Sequence, residues 1–131
     1  MGTASRSTAE IQLRDSALFR EQCYIDGRWQ HADSGKVIEV TNPATGKSIG
    51  AVPNMGVEET RRAIEAANAA FAGWRVKTSK ERATILRRWH DLMIENRDDL
   101  AVLMTLEQGK PLAESRGEID YAASFIEWFA E

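Results

Sequence analysis

The chain has 131 residues, of which 43% are hydrophobic and 28% charged, and it carries a net charge of −3. A chain of that length can bury a core, and the balance excludes disordered, fibrous and broadly nucleic-acid-binding proteins. No run reaches the length of a membrane span, and one cysteine leaves no internal disulfide, so the composition points to a reducing compartment, the cytoplasm.

The opening MGTASRSTAE lacks the apolar segment of a secretory signal, and Arg6 stands where a myristoylation pattern wants Ser or Thr. Residues 1–12 are small and polar and are expected to form a disordered tail. LRDSALFREQ follows as a short helix burying Leu13, Leu18 and Phe19. In CYIDGRWQ, Asp26-Gly27 between apolar-rich arms signals a hairpin with Tyr24, Ile25 and Trp29 on its strands. Val37 to Thr41 reads as a strand, Asn42-Pro43-Ala44-Thr45-Gly46 as a turn, and Ser48 to Val52 as the returning strand.

From Val57 the period becomes helical. Val57, Thr60, Ile64, Ala67, Phe71 and Trp74 fall three and four apart and predict one buried stripe. Thr78 and Glu81 match a capping box that opens a second helix carrying Ile85, Leu86, Trp89, Leu92 and Met93. Asn96 with Asp99 caps a third, whose Leu100, Leu103 and Leu106 face inward until Gly109 stops it. Pro111 starts a fourth helix, running through Tyr121, Phe125 and Trp128 to the last residue. That helix is dense in aromatics and lacks a stop signal, which reads as a chain cut in mid-element.

Few residues offer chemistry on their own. Cys23 has no base near it in sequence and reads as a small buried hydrophobe. His31 and His90 belong to no cluster with metal-ligand spacing. The glycines of DSGK, ATGK, NMGV and EQGK all sit in turns, and none builds a G-x-G-x-x-G cradle or a Walker loop. Glu58-Glu59 and Asp98-Asp99 lie in first helical turns, where capping and the helix dipole account for them. Basic residues in ERATILRRWH and ETRRAIE are interleaved with acids, as on solvated helix faces. The four tryptophans read as core or interface anchors. The residues alone thus describe β-hairpins followed by helices, with no self-contained active site.

The segments YIDGRW, VTNPATGKSIGAVP, ERATILRRWHDLMIENRDDLAVLMTLEQGKPLAE and GEIDYAASFIEWFAE together resemble the front of the aldehyde dehydrogenase superfamily. MTLEQGKPLAE and YAASFIEWFAE are most similar to its succinate-semialdehyde branch, with glutarate-semialdehyde enzymes as neighbours. The resemblance runs from about Leu13 to Glu131 and implies an α/β fold. Residues 13–131 would form the N-terminal portion of the cofactor-binding domain, with β-hairpins followed by about four helices. It implies oxidation of succinate semialdehyde to succinate in 4-aminobutyrate degradation, with NAD or NADP as cofactor, through a cysteine thiohemiacetal.

The nucleophile, the base and the cofactor-binding strands would lie beyond Glu131, so the 131-residue chain alone is expected to be inactive. The implied partners are the rest of the enzyme chain, a small-molecule aldehyde and further copies in a dimer or tetramer, with no nucleic acid and no membrane. By the same resemblance, Glu118, Tyr121 and Phe125 lie near the mouth of the substrate tunnel. Backbone oxygens of Val40 and Thr41 and the carboxylate of Glu107 would hold a monovalent cation. Read from the residues alone, the corner Glu107-Gln108-Gly109-Lys110-Pro111 has two explanations. Either Glu107 and Lys110 are ordinary helix-end charges, or Glu107 turns inward to satisfy backbone donors or an ion. A reading from another class, a non-enzymatic helical interaction module using the aromatic face of the last helix, also stands.

Overall fold

The structure, a computed structural model, describes residues 11–131. The tail expected over residues 1–12 lies outside the described residues except for Ile11 and Gln12, which carry no regular structure. The elements run β1 (Cys23–Ile25), β2 (Arg28–Gln30), β3 (Val37–Thr41), β4 (Ser48–Pro53), α1 (Val57–Arg75), α2 (Ser79–Glu95), α3 (Arg97–Gln108) and α4 (Leu112–Ala130).

β1 and β2 form one antiparallel pair and β3 and β4 another, as two separate sheets. Asp26 and Gly27 have φ of 51° and 73°, the pair of left-handed residues that a two-residue hairpin requires to match strand twist. Tyr24 stands opposite Trp29 with ring centroids 5.2 Å apart, and the Arg20 guanidinium lies 5.1 Å over the Trp29 ring. In the second hairpin Val40 pairs with Gly50, and the register slips between Val40 and Thr41. Gly50 admits the ring of Phe19, since a Cβ there would fall 2.7 Å from Phe19 Cζ.

The helical part is built round α4, against which both α2 and α3 pack. Its contact side is small: Ala123 and, on α3, Ala101 are fully buried, with Ile119 and Ala130 nearly so. Small side chains let helix backbones approach closely and interlock. Under the second hairpin, Ile49 is the large buried residue.

Several expectations need correction. The helix expected over LRDSALFREQ shrinks to one 3₁₀ turn, Ser16–Leu18, because Asp15 accepts from the Ala17 N–H at 2.9 Å and tightens the chain there. Leu13, Leu18 and Phe19 end half-buried. The α1 stripe is helical as read but not buried, and Val57, Ile64 and Phe71 all face solvent. Of the tryptophans, Trp29, Trp89 and Trp128 are exposed and Trp74 is half-buried, so none is a core anchor among the described residues.

Asn96 does not cap α3 with its side chain. Its amide instead donates to the Leu92 carbonyl at 2.8 Å and closes the end of α2. Pro111 is the residue before α4 rather than its first. The acidic pairs also do more than cap. One member of each turns inward, leaving Glu59 and Asp99 buried, while Glu58 meets Arg61 and Asp98 meets Arg14 and Arg116 at the surface.

Candidate functional site

The corner between α3 and α4 is fastened on three sides. Gly109 takes the left-handed conformation, φ 76°, and its N–H donates to the Thr105 carbonyl at 2.8 Å, closing α3. Across the bend, the Thr105 and Ser115 hydroxyls lie 2.8 Å apart, with Ser115 fully buried. Lys110 donates to the carboxylate of Glu118 one turn further along α4. The turn between β3 and β4 meets the same corner, because a Cβ on Gly109 would fall 2.9 Å from Pro43 Cγ.

Above this corner a cavity of about 180 Å³ opens between the second hairpin and α3, walled by Phe19, Val40, Ile49, Leu103 and Glu107. Val40 and Glu107 therefore share one cavity, and Thr41 is not on its wall. Glu107 is exposed, and its carboxylate has no hydrogen-bond partner among the described residues. The inward-turned acid that satisfies backbone donors is Asp99, at the other end of α3. Its two oxygens accept the Arg14 N–H at 3.1 Å and the Asp15 N–H at 2.9 Å. No local pattern pointed to this role, since the bonded residues stand 85 and 84 positions apart. Among the described residues no group of three His, Cys, Asp or Glu side chains is placed to hold a metal ion.

Glu118, Tyr121 and Phe125 recur at helical spacing on the outward side of α4, all three exposed. Tyr121 and Phe125 meet edge to face at 4.8 Å. With Trp128 and Phe129 they line an open aromatic groove whose polar groups are Ser124, Glu127 and Glu131. Glu131 is bonded to Arg87 of α2. Cys23 is half-buried and free. His31 meets Gln22 and His90 meets Asp91, so neither histidine has an assembled set of ligands.

The electrostatics are dominated by acids that hold the scaffold. Asp99 is held below the usual carboxylate range by the backbone N–H groups of Asp15 and Arg14. Glu59 is held low by backbone N–H groups, its own first and then those of Asp33 and Gly56. The Arg116 guanidinium lowers Asp98, the Arg62 guanidinium lowers Asp33, and the backbone and hydroxyl of Thr78 lower Glu81. Each helix carries acid in its first turn: Glu58 and Glu59, Glu81, Asp98 and Asp99, and Glu114. A helix N-terminus binds phosphate through free N–H groups and its positive dipole end. At α1 and α2 carboxylates already take such groups, Glu59 on the Gly56 N–H and Glu81 on the Thr78 N–H, and acid stands in the first turn of α3 and α4, so negative charge would face a phosphate at each of these ends.

Residues 29–131 match the sequence profile of the aldehyde dehydrogenase family. The chain is similar to a glutarate-semialdehyde dehydrogenase of Pseudomonas aeruginosa, 67% identical over 92% of this chain and 25% of that protein. It is 64% identical to an NADP(+) succinate-semialdehyde dehydrogenase of Escherichia coli, again over 92% of this chain and 25% of the relative. A crystal structure of succinate-semialdehyde dehydrogenase from Burkholderia pseudomallei superposes with a TM-score of 0.88 at 67% identity, covering 90% of this chain and 24% of that one. The chain thus spans about a quarter of the length of the relatives it matches.

Proposed function

The chain belongs to the aldehyde dehydrogenase family, and from that premise we propose that it forms the N-terminal part of an NAD(P)-dependent enzyme oxidising succinate semialdehyde to succinate. The observation that carries this reading is 64–67% identity, over nine-tenths of the chain, to proteins named for dehydrogenation of four- and five-carbon semialdehydes. Glutarate semialdehyde is the second reading, favoured by the relative of that name at 67% identity. Both substrates are aldehydes bearing a carboxylate at the far end.

The nicotinamide cofactor, where bound, accepts the hydride of the oxidation. We assign no step of that chemistry to these 131 residues. Their work is to hold surfaces in place. In this reading Glu118, Tyr121 and Phe125 border the substrate path, supported by their common outward side of α4. The backbone oxygens of Val40 and Thr41 and the carboxylate of Glu107 hold a monovalent cation. Support for that site is the cavity shared by Val40 and Glu107 and the lack of a hydrogen-bond partner for Glu107 among the described residues. The complete enzyme is read as a cytoplasmic dimer or tetramer acting in 4-aminobutyrate breakdown.

The test is steady-state kinetics of the purified full-length enzyme with succinate semialdehyde, glutarate semialdehyde and an uncharged aldehyde of similar length, each with NAD+ and with NADP+. The expected order of kcat/KM is succinate, then glutarate, then the uncharged aldehyde. Reversal of the first two selects the second reading, and preference for the uncharged aldehyde overturns both. The 131-residue chain on its own is expected to reduce neither cofactor.

A further inference from the structure

α1 is seated by its polar side. Its one buried side chain is Glu59, whose carboxylate accepts the N–H groups of Asp33 and Gly56 at 3.0 Å each. One turn along, the Arg62 guanidinium forks onto Asp33 at 2.8 and 2.9 Å. Within the chain the main neighbour of this helix is β1. Its apolar side points elsewhere: Val57, Ile64 and Phe71 are 73%, 64% and 56% exposed, roughly a third to nearly half a turn round the helix from Glu59. A surface helix normally does the opposite, turning its apolar stripe inward. Contiguous exposed apolar rows mark interaction sites rather than free surface.

The row also specifies what would lie on it. Val57, Thr60, Ile64, Ala67, Phe71 and Trp74 alternate strictly by three and four, the repeat of a seam between two helices. The large side chains at 57, 64 and 71 alternate with small Thr60 and Ala67, leaving holes for the knobs of an opposing helix. One edge of the seam is polar and basic, with Arg61, Asn68 and Arg75, and the other is small, with Ala63 and Ala70.

We propose that this row seats a second α-helix, contributed by polypeptide of the full-length enzyme outside these 131 residues. That helix is amphipathic at the same spacing and acidic along the edge facing Arg61 and Arg75. The inference rests on the reading of the chain as part of a longer dehydrogenase, and the one-quarter share of its relatives' length supplies the source of the partner.

Thiol labelling tests it. One cysteine at a time is introduced at Ile64 or Phe71 on the row or at exposed Glu65 off it, with Cys23 replaced by serine, in both the 131-residue chain and the full-length enzyme, and labelling is followed by mass spectrometry of the peptide that carries the new thiol. In the 131-residue chain the three thiols should react at similar rates. In the full-length enzyme, Ile64→Cys and Phe71→Cys should react at least about ten-fold more slowly than Glu65→Cys, as expected of side chains removed from solvent. Equal rates in the full-length enzyme overturn the proposal. So does protection that fades on dilution, which would assign the seat to a second copy. Aldehyde oxidation by the unsubstituted, unlabelled full-length enzyme, with all of its own cysteines, is read separately. Its absence would sink the dehydrogenase reading, whereas activity with an unprotected row would sink only the helix seat.

Discussion

Gly109 and Pro43 touch across the junction of two substructures: the place a Cβ would take on Gly109 lies 2.9 Å from Pro43 Cγ. The contact joins the turn of the second hairpin to the corner between α3 and α4, and it explains why this corner must be glycine twice over. A side chain would be strained at φ 76° and would also strike the proline ring. Gly46 has a similar φ, 67°, with open space around it. Gly109→Ala should therefore destabilise by about 3 kcal/mol and Gly46→Ala by about 1 kcal/mol. Denaturant melts of both variants check the difference, and equal losses would remove Pro43 from the account.

Acid should loosen the chain through Asp99 and Glu59. Both carboxyls are lowered by backbone N–H donors, so the folded state holds their protons less tightly than the unfolded state. The stability they contribute is complete above the ordinary carboxylate pKa of about 4 and is lost as pH falls through and below it. Thermal melts between neutral pH and pH about 3 should show this decline. Asp99→Asn, which replaces one of the two accepting oxygens by a donor, should be less stable at neutral pH and show a flatter response to acid.

Packing around α4 depends on the size of Ala123, which is fully buried. Ala123→Leu adds volume where the helix backbones approach and should cost about 1–3 kcal/mol. The same change at exposed Ala122 should stay within about 0.5 kcal/mol. A pair of urea melts separates them, and a neutral Ala123→Leu would mean that α4 shifts from its neighbours without penalty.

Glu107 has its own test. Exposed and without a hydrogen-bond partner among the described residues, it should tolerate Glu107→Gln in the 131-residue chain with a change under about 1 kcal/mol. If it is a cation ligand in the full-length enzyme, the substitution should cost about 1.5–3 kcal/mol in sodium or potassium and far less with a bulky organic cation. Melts in the three salts decide, and a loss that ignores the cation removes the ion from the site.

Local chemistry was the legible part of the fold. Asp26-Gly27, the Thr78–Glu81 box and the left-handed Gly109 stand where their side chains and φ preferences require. Long-range chemistry was not legible. Nothing in the neighbourhood of Asp99 distinguishes it from Asp98, because its partners lie on a distant segment; Glu59 reaches back locally to the Gly56 N–H, but its other partner, the Asp33 N–H, is distant as well. Periodicity likewise told which α1 residues share a side and was silent on what stands opposite. The stripe from Val57 to Phe71 was therefore expected inside and is found outside. For the candidate site, family resemblance named Val40, Thr41, Glu107, Glu118, Tyr121 and Phe125. Spacing alone could not have brought Val40 and Glu107 to one cavity.

The span of the Asp99 bonds bears on the order in which this protein assembles. The Thr105–Ser115 contact closes a loop over 10 residues, whereas Asp99 reaches back over 84 and 85. Short closures form first, because the chain entropy lost grows with the length of the loop. The helices of the second half can therefore associate early, while the segment at Arg14 and Asp15 waits for an acid that leaves the ribosome long after it. Synthesis and assembly then run in opposite directions here, and Arg14 and Asp15 are fixed in place later than the helices made after them.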